Sequence, residues 1–367
     1  MTMSSLKQTK KQDKTFTAGN APASFLLKRS RAFVVFCLVA ATLLFSLSGC
    51  STPDKKTTRS FFALDTYITI TLEGKDTDEA MNAAVNCIMD LEKKLSRQDP
   101  ESEISSLNLS SEEAPVTLSK ETYDLLSKVL EYSEKTNGRF DPAIAPVMDV
   151  WGFGTEDAHV PDEEEISEAL PLVDYTKIHL LSDNKAYLED GVKVDLGGAA
   201  KGYIGDLLME KLEGYSLSKI ILDLGGNVCC KARSSELTIG IISPLSSDQL
   251  CCTYSLEKGQ ICSVITSGAY ERYIEEDGVR YGHIMDTSTG YPADTDLLSA
   301  TVIGPDGTKG DVYSTTLFSL GSEKAMELAS EEGIDCILCM ENGTLWVSST
   351  LEGKVNAQEG WTIEYFS

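Results

Sequence analysis

Val194-Asp195-Leu196-Gly197-Gly198 is echoed 28 residues later by Leu222-Asp223-Leu224-Gly225-Gly226. In each copy an apolar run with strand character delivers an aspartate and then a glycine pair. Glycines permit tight turns and let the backbone approach a ligand closely. After the first copy, helical spacing runs from about Ala199 to Leu212, so the N–H groups of its first turn are free to face an anion. Turn geometry alone also accounts for a glycine pair, and both readings stand at this level. Neither copy is a Gly-x-Gly-x-x-Gly fingerprint, and no Gly-x-x-x-x-Gly-Lys-Ser/Thr loop occurs anywhere, so Rossmann and P-loop readings are rejected.

Outward from this echo, strands and helices mix without strict βαβ order. Phe61 to Leu72 alternates with Thr and predicts a first strand. Apolar spacing predicts helices over 76–95 and 119–136, the second closed by Asn137-Gly138. Strands are predicted at 177–181, 185–188, 192–196, 219–224, 237–242, 250–256, 261–266 and 297–303. Helices at 311–320 and 322–332 precede strands at 335–340 and 344–348. The expected class is α+β, a single compact unit over 61–367 with mixed or antiparallel sheets and flanking helices.

The chain has 367 residues and a formal charge of −25, with 32 Lys plus Arg against 57 Asp plus Glu. Such an acid excess argues against a nucleic-acid-coating protein, which needs the opposite balance. It still allows a small anionic ligand held by local donors or a metal. Residues 1–49 read as an export signal. A basic start (Lys7 to Arg31) leads into an apolar run from Ala32 to Leu47, shorter than the ~20 residues of a comfortable span. The run ends in Leu47-Ser48-Gly49-Cys50, which resembles a bacterial lipobox and makes Cys50 the expected lipidation site. Residues 50–60 read as a polar tether. Loss of the signal leaves 25 Lys plus Arg against 56 Asp plus Glu, a net charge of −31. The expected location is the extracytoplasmic face of the cell membrane, with the acyl chains as anchor.

Eight cysteines remain beyond Cys50. Export allows a disulfide between the 229/230 and 251/252 pairs, whereas the apolar run around Cys336 and Cys339 favours buried, reduced thiols. Neither His nor Cys spacing supports a zinc site, with three histidines in the whole chain.

Three further segments concentrate unusual residues. Thr136 to Gly154 carries Asn137-Gly-Arg-Phe-Asp-Pro142 and Trp151-Gly-Phe-Gly154, suited either to a ligand-contacting loop or to a packed one. In Tyr281-Gly-His-Ile-Met-Asp-Thr-Ser-Thr-Gly-Tyr-Pro292, His283 and Asp286 bracket two apolar residues, and a histidine so placed serves as a base or as a structural group. In Gly310-Asp-Val-Tyr-Ser-Thr-Thr-Leu317, Asp311 and Thr315 share a helix face. They are hard oxygen donors of the kind Mg²⁺ accepts, and N-capping is the equally open alternative for Asp311. A position at a helix start predicts that Asp311→Ala spares the fold.

Together these segments resemble the ApbE family of FAD:protein FMN transferases over nearly all of the chain beyond Phe61. The matching stretches are Phe62-Ala-Leu-Asp-Thr66, the 137–142 and 151–154 motifs, Asp195-Leu-Gly-Gly-Ala-Ala-Lys-Gly202 and Asp223-Leu-Gly-Gly-Asn227. Thr266-Ser-Gly268, the run from His283 to Pro292, and Asp311-Val-Tyr-Ser-Thr315 complete the series. The resemblance implies Mg²⁺-dependent transfer of FMN from FAD to a Ser or Thr hydroxyl of an exported acceptor flavoprotein, a subunit of an extracytoplasmic redox complex, with release of AMP. By motif position it implies Gly198, Asp311, Ser314 and Thr315 as metal ligands. It implies flavin or adenosine contacts from Leu64, Arg139, Phe140, Asp141, Asp195, Lys201 and Met285, and His283 as the proton acceptor. Two departures stand out: Leu64 occupies a position where Met is usual, and Gln98 stands where many members have an aromatic that stacks on flavin. Hydrolysis of FAD to FMN and AMP, or flavin binding without turnover, are the rival readings.

Overall fold

The computed structural model describes residues 54–270 and 272–367; the expectations for residues 1–49 and Cys50 lie outside them. Nine strands form the main sheet, in the order β1 (Lys55–Ala63), β2 (Thr66–Gly74), β6 (Leu217–Asp223), β7 (Asn227–Ala232), β10 (Ile261–Ser267), β13 (Leu297–Gly304), β14 (Asp335–Met340), β15 (Thr344–Ser348) and β17 (Thr362–Phe366). Every neighbouring pair is antiparallel except β15 with β17. The smaller sheets are β3 (Val116–Thr117), β5 (Lys185–Leu188) and β4 (Ile178–Leu180); β16 (Val355–Ala357), β9 (Ser246–Leu256) and β8 (Leu237–Ser243); and the hairpin β11 (Tyr273–Glu276) with β12 (Val279–Gly282). The helices are α1 (Thr77–Leu95), α2 (Glu103–Leu107), α3 (Lys120–Lys135), α4 (Ala145–Trp151), α5 (Glu163–Ala169), α6 (Gly197–Leu212), α7 (Gly307–Leu320) and α8 (Ser322–Glu332). This is the expected α+β class. Among the described residues no helix is long and apolar enough to cross a membrane.

Two cores cover the two faces of the main sheet. Ile68, Ile70 and Leu72 of β2 pack with α1, α3, α6 and α7 on one side. Cys230, Val264 and Ile337 pack under β8, β9 and β16 on the other. Strand alternation explains the split: Cys229 faces the helices while its neighbour Cys230 faces the small sheet. All eight described cysteines are free thiols, and seven are buried. No 229/230 to 251/252 bridge forms; burial pushes the Cys229 thiol up to about 12, so it behaves as a small hydrophobe.

Several boundaries differ from the sequence reading. The single strand predicted over 61–72 is a hairpin, β1 and β2, turning at Leu64 and Asp65 with φ of 52° and 56°. The alternation was legible, but no glycine marked a turn that two non-glycine residues make in the left-handed region. Lys55 to Ser60, expected within the tether, makes up the first two-thirds of β1. The strand predicted at 192–196 does not pair, and β7 was missed because Gly225-Gly226 hid a second hairpin, with φ of 73° and 89° at those glycines.

Local chemistry explains the helix ends. Ser119 caps α3, which closes at left-handed Asn137 and Gly138. At α7, Asp306 accepts from the Lys309 amide, while Asp206 of α6 accepts from the Gly307 and Thr308 amides. Two carboxylates therefore neutralise the positive end of α7 and tie it to α6. Gly202 lets the two helices touch: a Cβ there would lie 2.1 Å from the Gly307 carbonyl oxygen.

Candidate active site

The close crossing of α6 and α7, the two hairpin turns and the 283–292 loop enclose one cavity of about 650 Å³. It gathers eleven expected residues that lie far apart in sequence: Leu64, Arg139, Phe140, Asp141, Asp195, Gly198, Lys201, His283, Met285, Asp311 and Thr315. Gln98 and Phe153 also line it.

The first-copy motif begins α6 directly. Asp195 Oδ1 accepts from the Gly197 amide at 2.7 Å and turns the chain into the helix. Its Oδ2 accepts from Arg97 Nε at 2.7 Å, and Arg97 also pairs with Asp149. The second copy makes the same turn, Asp223 Oδ1 accepting from Gly225 N, but continues into a hairpin rather than a helix. The residues just beyond each glycine pair decide between the two: helical spacing after the first, a β-branched and cysteine run after the second.

Asp311 is in the second turn of α7, with Asp306 as the N-cap. The capping alternative for Asp311 is thereby excluded, and the residue is 3% exposed rather than at a free helix start. Its Oδ2 accepts from the Gly202 amide at 2.9 Å, and Oδ1 accepts no hydrogen bond from any described residue. Thr315 lies one turn on, where a Cβ built on Gly198 would be 3.9 Å from its hydroxyl. Ser314, expected beside them as a ligand, does not line the cavity. Its hydroxyl donates to the Asp311 carbonyl and meets Ser267 Oγ at 2.8 Å, because its position on α7 faces β10. Ser267 also bonds Thr315 Oγ1 at 3.2 Å.

Among the described residues no three His, Cys, Asp or Glu side chains converge as a metal cluster. The donors at the α6–α7 crossing are instead one buried carboxylate, one hydroxyl and main-chain oxygen. This hard, oxygen-only set fits Mg²⁺, which takes few protein ligands and shares its sphere with water and phosphate.

His283 lines the same cavity. Its backbone amide and Nδ1 both reach the Arg272 carbonyl, at 3.1 and 3.2 Å. Nδ1 therefore carries the proton, and Nε2 is left as the acceptor. Burial, aided by the nearby Arg272 and Lys201 charges, lowers its pKa to about 4, so the ring is neutral at pH 7.

Two aspartates shape the remaining wall. Asp141 Oδ1 and Oδ2 accept from the Ala143 and Tyr175 amides, pinning the Phe140 loop, and burial raises its carboxyl to about 6. Asp286 Oδ1 accepts from Arg139 at 3.1 Å and from Ser288 N at 2.8 Å. Burial opposes its ionisation, but these donors hold its carboxyl below the usual range. The 151–154 motif is mostly packing: Trp151 is fully buried, donates to the Gly290 carbonyl at 2.9 Å and stacks on Phe153. Asn227, absent from the expected site, also lines the cavity. Its only sequence signal was its place at the end of the second glycine motif.

The ApbE family model matches residues 64–338. The FAD:protein FMN transferase of Treponema pallidum is 32% identical over 295 residues, covering 75% of this chain and 81% of that protein. One from Klebsiella pneumoniae is 36% identical over 276 residues, covering 74% and 86%. The crystal structure of the ApbE protein from Thermotoga maritima superposes with a TM-score of 0.75 at 30% identity, over 82% of this chain and 99% of that one. The flavin transferase ApbE from Vibrio cholerae shares the fold, with a TM-score of 0.67 at 21% identity over 84% and 99%. The matched span contains every cavity residue discussed above, and this chain belongs to the ApbE family.

Proposed function

We propose that this protein transfers FMN from FAD to a Ser or Thr hydroxyl of an acceptor flavoprotein and releases AMP. The observation that carries the reading is the meeting of Asp311 and Thr315 with the first turns of α6, in one cavity with a neutral histidine. Phosphoryl transfer asks a protein mainly to position groups and to offset charge. Gly198, Asp311 and Thr315 would hold Mg²⁺, with Ser314 and Ser267 fixing the Thr315 hydroxyl. When bound, the ion polarises phosphate oxygens and offsets the charge of the leaving AMP. Lys201 and the α6 N-terminus attract the pyrophosphate within a strongly acidic molecule. His283 Nε2 accepts the proton of the attacking hydroxyl. Its oxygen bonds to the phosphorus on the FMN side, and the bond to the AMP oxygen breaks. Leu64, Phe140 and Met285 supply apolar contact for flavin or adenosine; Arg139, Asp141 and Asp195 supply polar contact.

The reading extends to location. Residues 1–49 serve as the export signal and Cys50 as the lipid-bearing residue, placing the protein on the extracytoplasmic membrane face beside an acceptor subunit of a redox complex. Only residues 51–54 separate Cys50 from β1, a reach of roughly 14 Å when fully extended. The anchor would hold the β1–β2 hairpin close to the bilayer.

Incubation with FAD, Mg²⁺ and a candidate acceptor domain tests the activity. Flavin fluorescence that stays on the acceptor through denaturation is the expected result. Free FMN and AMP with an unmodified acceptor would mark hydrolysis instead.

A further inference from the structure

Asn227 opens β7, is 2% exposed and lines the cavity, yet its Nδ2 has no hydrogen-bond partner among the described residues. A buried amide donor left unpaired carries a desolvation cost that nothing repays, and such orphans are rare in native proteins. Its surroundings indicate what would satisfy it. Asn227 pairs with Ile265 of β10, so the two side chains share a sheet face with Ser267, two residues further along. That face looks at the helices: a Cβ on Gly310 of α7 would lie 2.9 Å from Ile265 Cδ1. Two residues along β7, the Cys229 sulfur would lie 2.5 Å from a Cβ on Gly205 of α6. Asn227 therefore lines the cavity toward the N-terminal end of α6, on the sheet face that also carries the Ser267 hydroxyl bonded to Thr315. Lys201 and the carboxamide line the same cavity, one a cation and the other a donor without a partner, and such a pair calls for an anionic acceptor.

We propose that Asn227 is a substrate-binding residue whose carboxamide donates to a phosphate oxygen of the dinucleotide. A half-turn about χ2 exchanges its oxygen and nitrogen at the cavity wall, so no backbone movement is needed. The proposal rests on the transferase reading and adds a residue to its phosphate site.

The test compares the full-length protein with Asn227→Leu, close in volume without a donor, and Asn227→Asp, close in shape with an acceptor in its place. Calorimetry without added metal measures affinity for FAD, ADP and riboflavin. The expected result is a roughly ten- to hundredfold loss for FAD and ADP in both variants, with riboflavin unchanged. Unliganded Asn227→Leu is expected to melt no lower than wild type, while FAD raises its melting point less. An equal loss for riboflavin would assign the amide to the flavin ring and overturn the proposal. So would unaltered FAD affinity, or a lower melting point for unliganded Asn227→Leu. Should that variant not fold, Asn227→Asp decides the affinity question. Wild-type protein that binds no FAD would instead sink the transferase reading itself. Wild-type transfer alongside unaltered variants sinks only the role of Asn227.

Discussion

The Gly202 amide donates to Asp311 Oδ2 at 2.9 Å, across 109 residues of sequence. In an undisturbed helix the same amide would point at the Gly198 carbonyl. One carboxylate thus joins the glycine-rich start of α6 to the second turn of α7, and leaves its other oxygen for the cavity. Structure and chemistry are separable at this residue, and the buried tie to Gly202 gives its loss a cost to the fold that the expected position at a helix start did not include.

Asp311→Asn keeps an oxygen for the Gly202 amide but removes the charge. It is expected to melt near wild type and to lose Mg²⁺-dependent transfer. Asp311→Ala leaves a buried N–H without its acceptor and is expected to lose about 1–3 kcal/mol of stability as well. Denaturant titration beside the acceptor-labelling assay separates the two effects. Normal transfer by Asp311→Asn would remove the residue from the metal site.

His283→Ala is expected to slow transfer by roughly 10²–10⁴-fold if the ring takes the proton. With its pKa lowered to about 4, the ring stays neutral well below pH 6.5. Transfer limited by this group should be flat from pH 8 to about 5.5 and fall toward pH 4 as the ring protonates. The fold follows the same sign. The unfolded chain binds the His283 proton first, so the stability from this group is present above pH 6.5 and is lost between there and about 4. An activity midpoint near 6.5 would show a solvated histidine instead.

Arg139 and Asp286 form one unit holding the Phe140 loop to the His283 loop. Arg139→Ala and Asp286→Ala are each expected to raise the KM for FAD more than they lower kcat. The double variant should cost less than the sum, by about 0.5–2 kcal/mol of coupling. Strict additivity in steady-state kinetics would show that the pair acts independently.

Gly202→Ala would place a methyl group 2.1 Å from the Gly307 carbonyl. Main chain cannot give way as a side chain does, so a loss of about 2–3 kcal/mol or more is expected. Transfer should fall with it, because the same separation pulls Asp311 from the start of α6. Chemical denaturation of this variant against Gly214→Ala, where the nearest atom would be 3.6 Å away, provides the control.

Much of this was legible in the chain itself. Helical spacing placed α1, α3, α6 and α8 within a residue or two; α1, α3 and α8 each hide one face and expose the other. The motif series named eleven of the residues that line the cavity, together with Ser314, which does not. The start of α7 was harder: it is buried nearly all round, so periodicity fades, and the capping Asp306 and Asp206 lie five and 105 residues from Asp311. The β1–β2 turn carried no glycine signal, and β7 was concealed by a glycine pair that resembles the one opening α6.

Local sequence determined the order of elements, the class of the fold and the kinds of chemical group the chain can offer. Burial, exposure and partnership were decided only by tertiary structure. The freedom of one Asp311 oxygen, the neutrality of His283, the inward turn of Ser314 and the unpaired amide of Asn227 each depend on atoms brought together from distant segments. Hydrogen bonding and desolvation act over a few ångströms of space, whatever the separation along the chain.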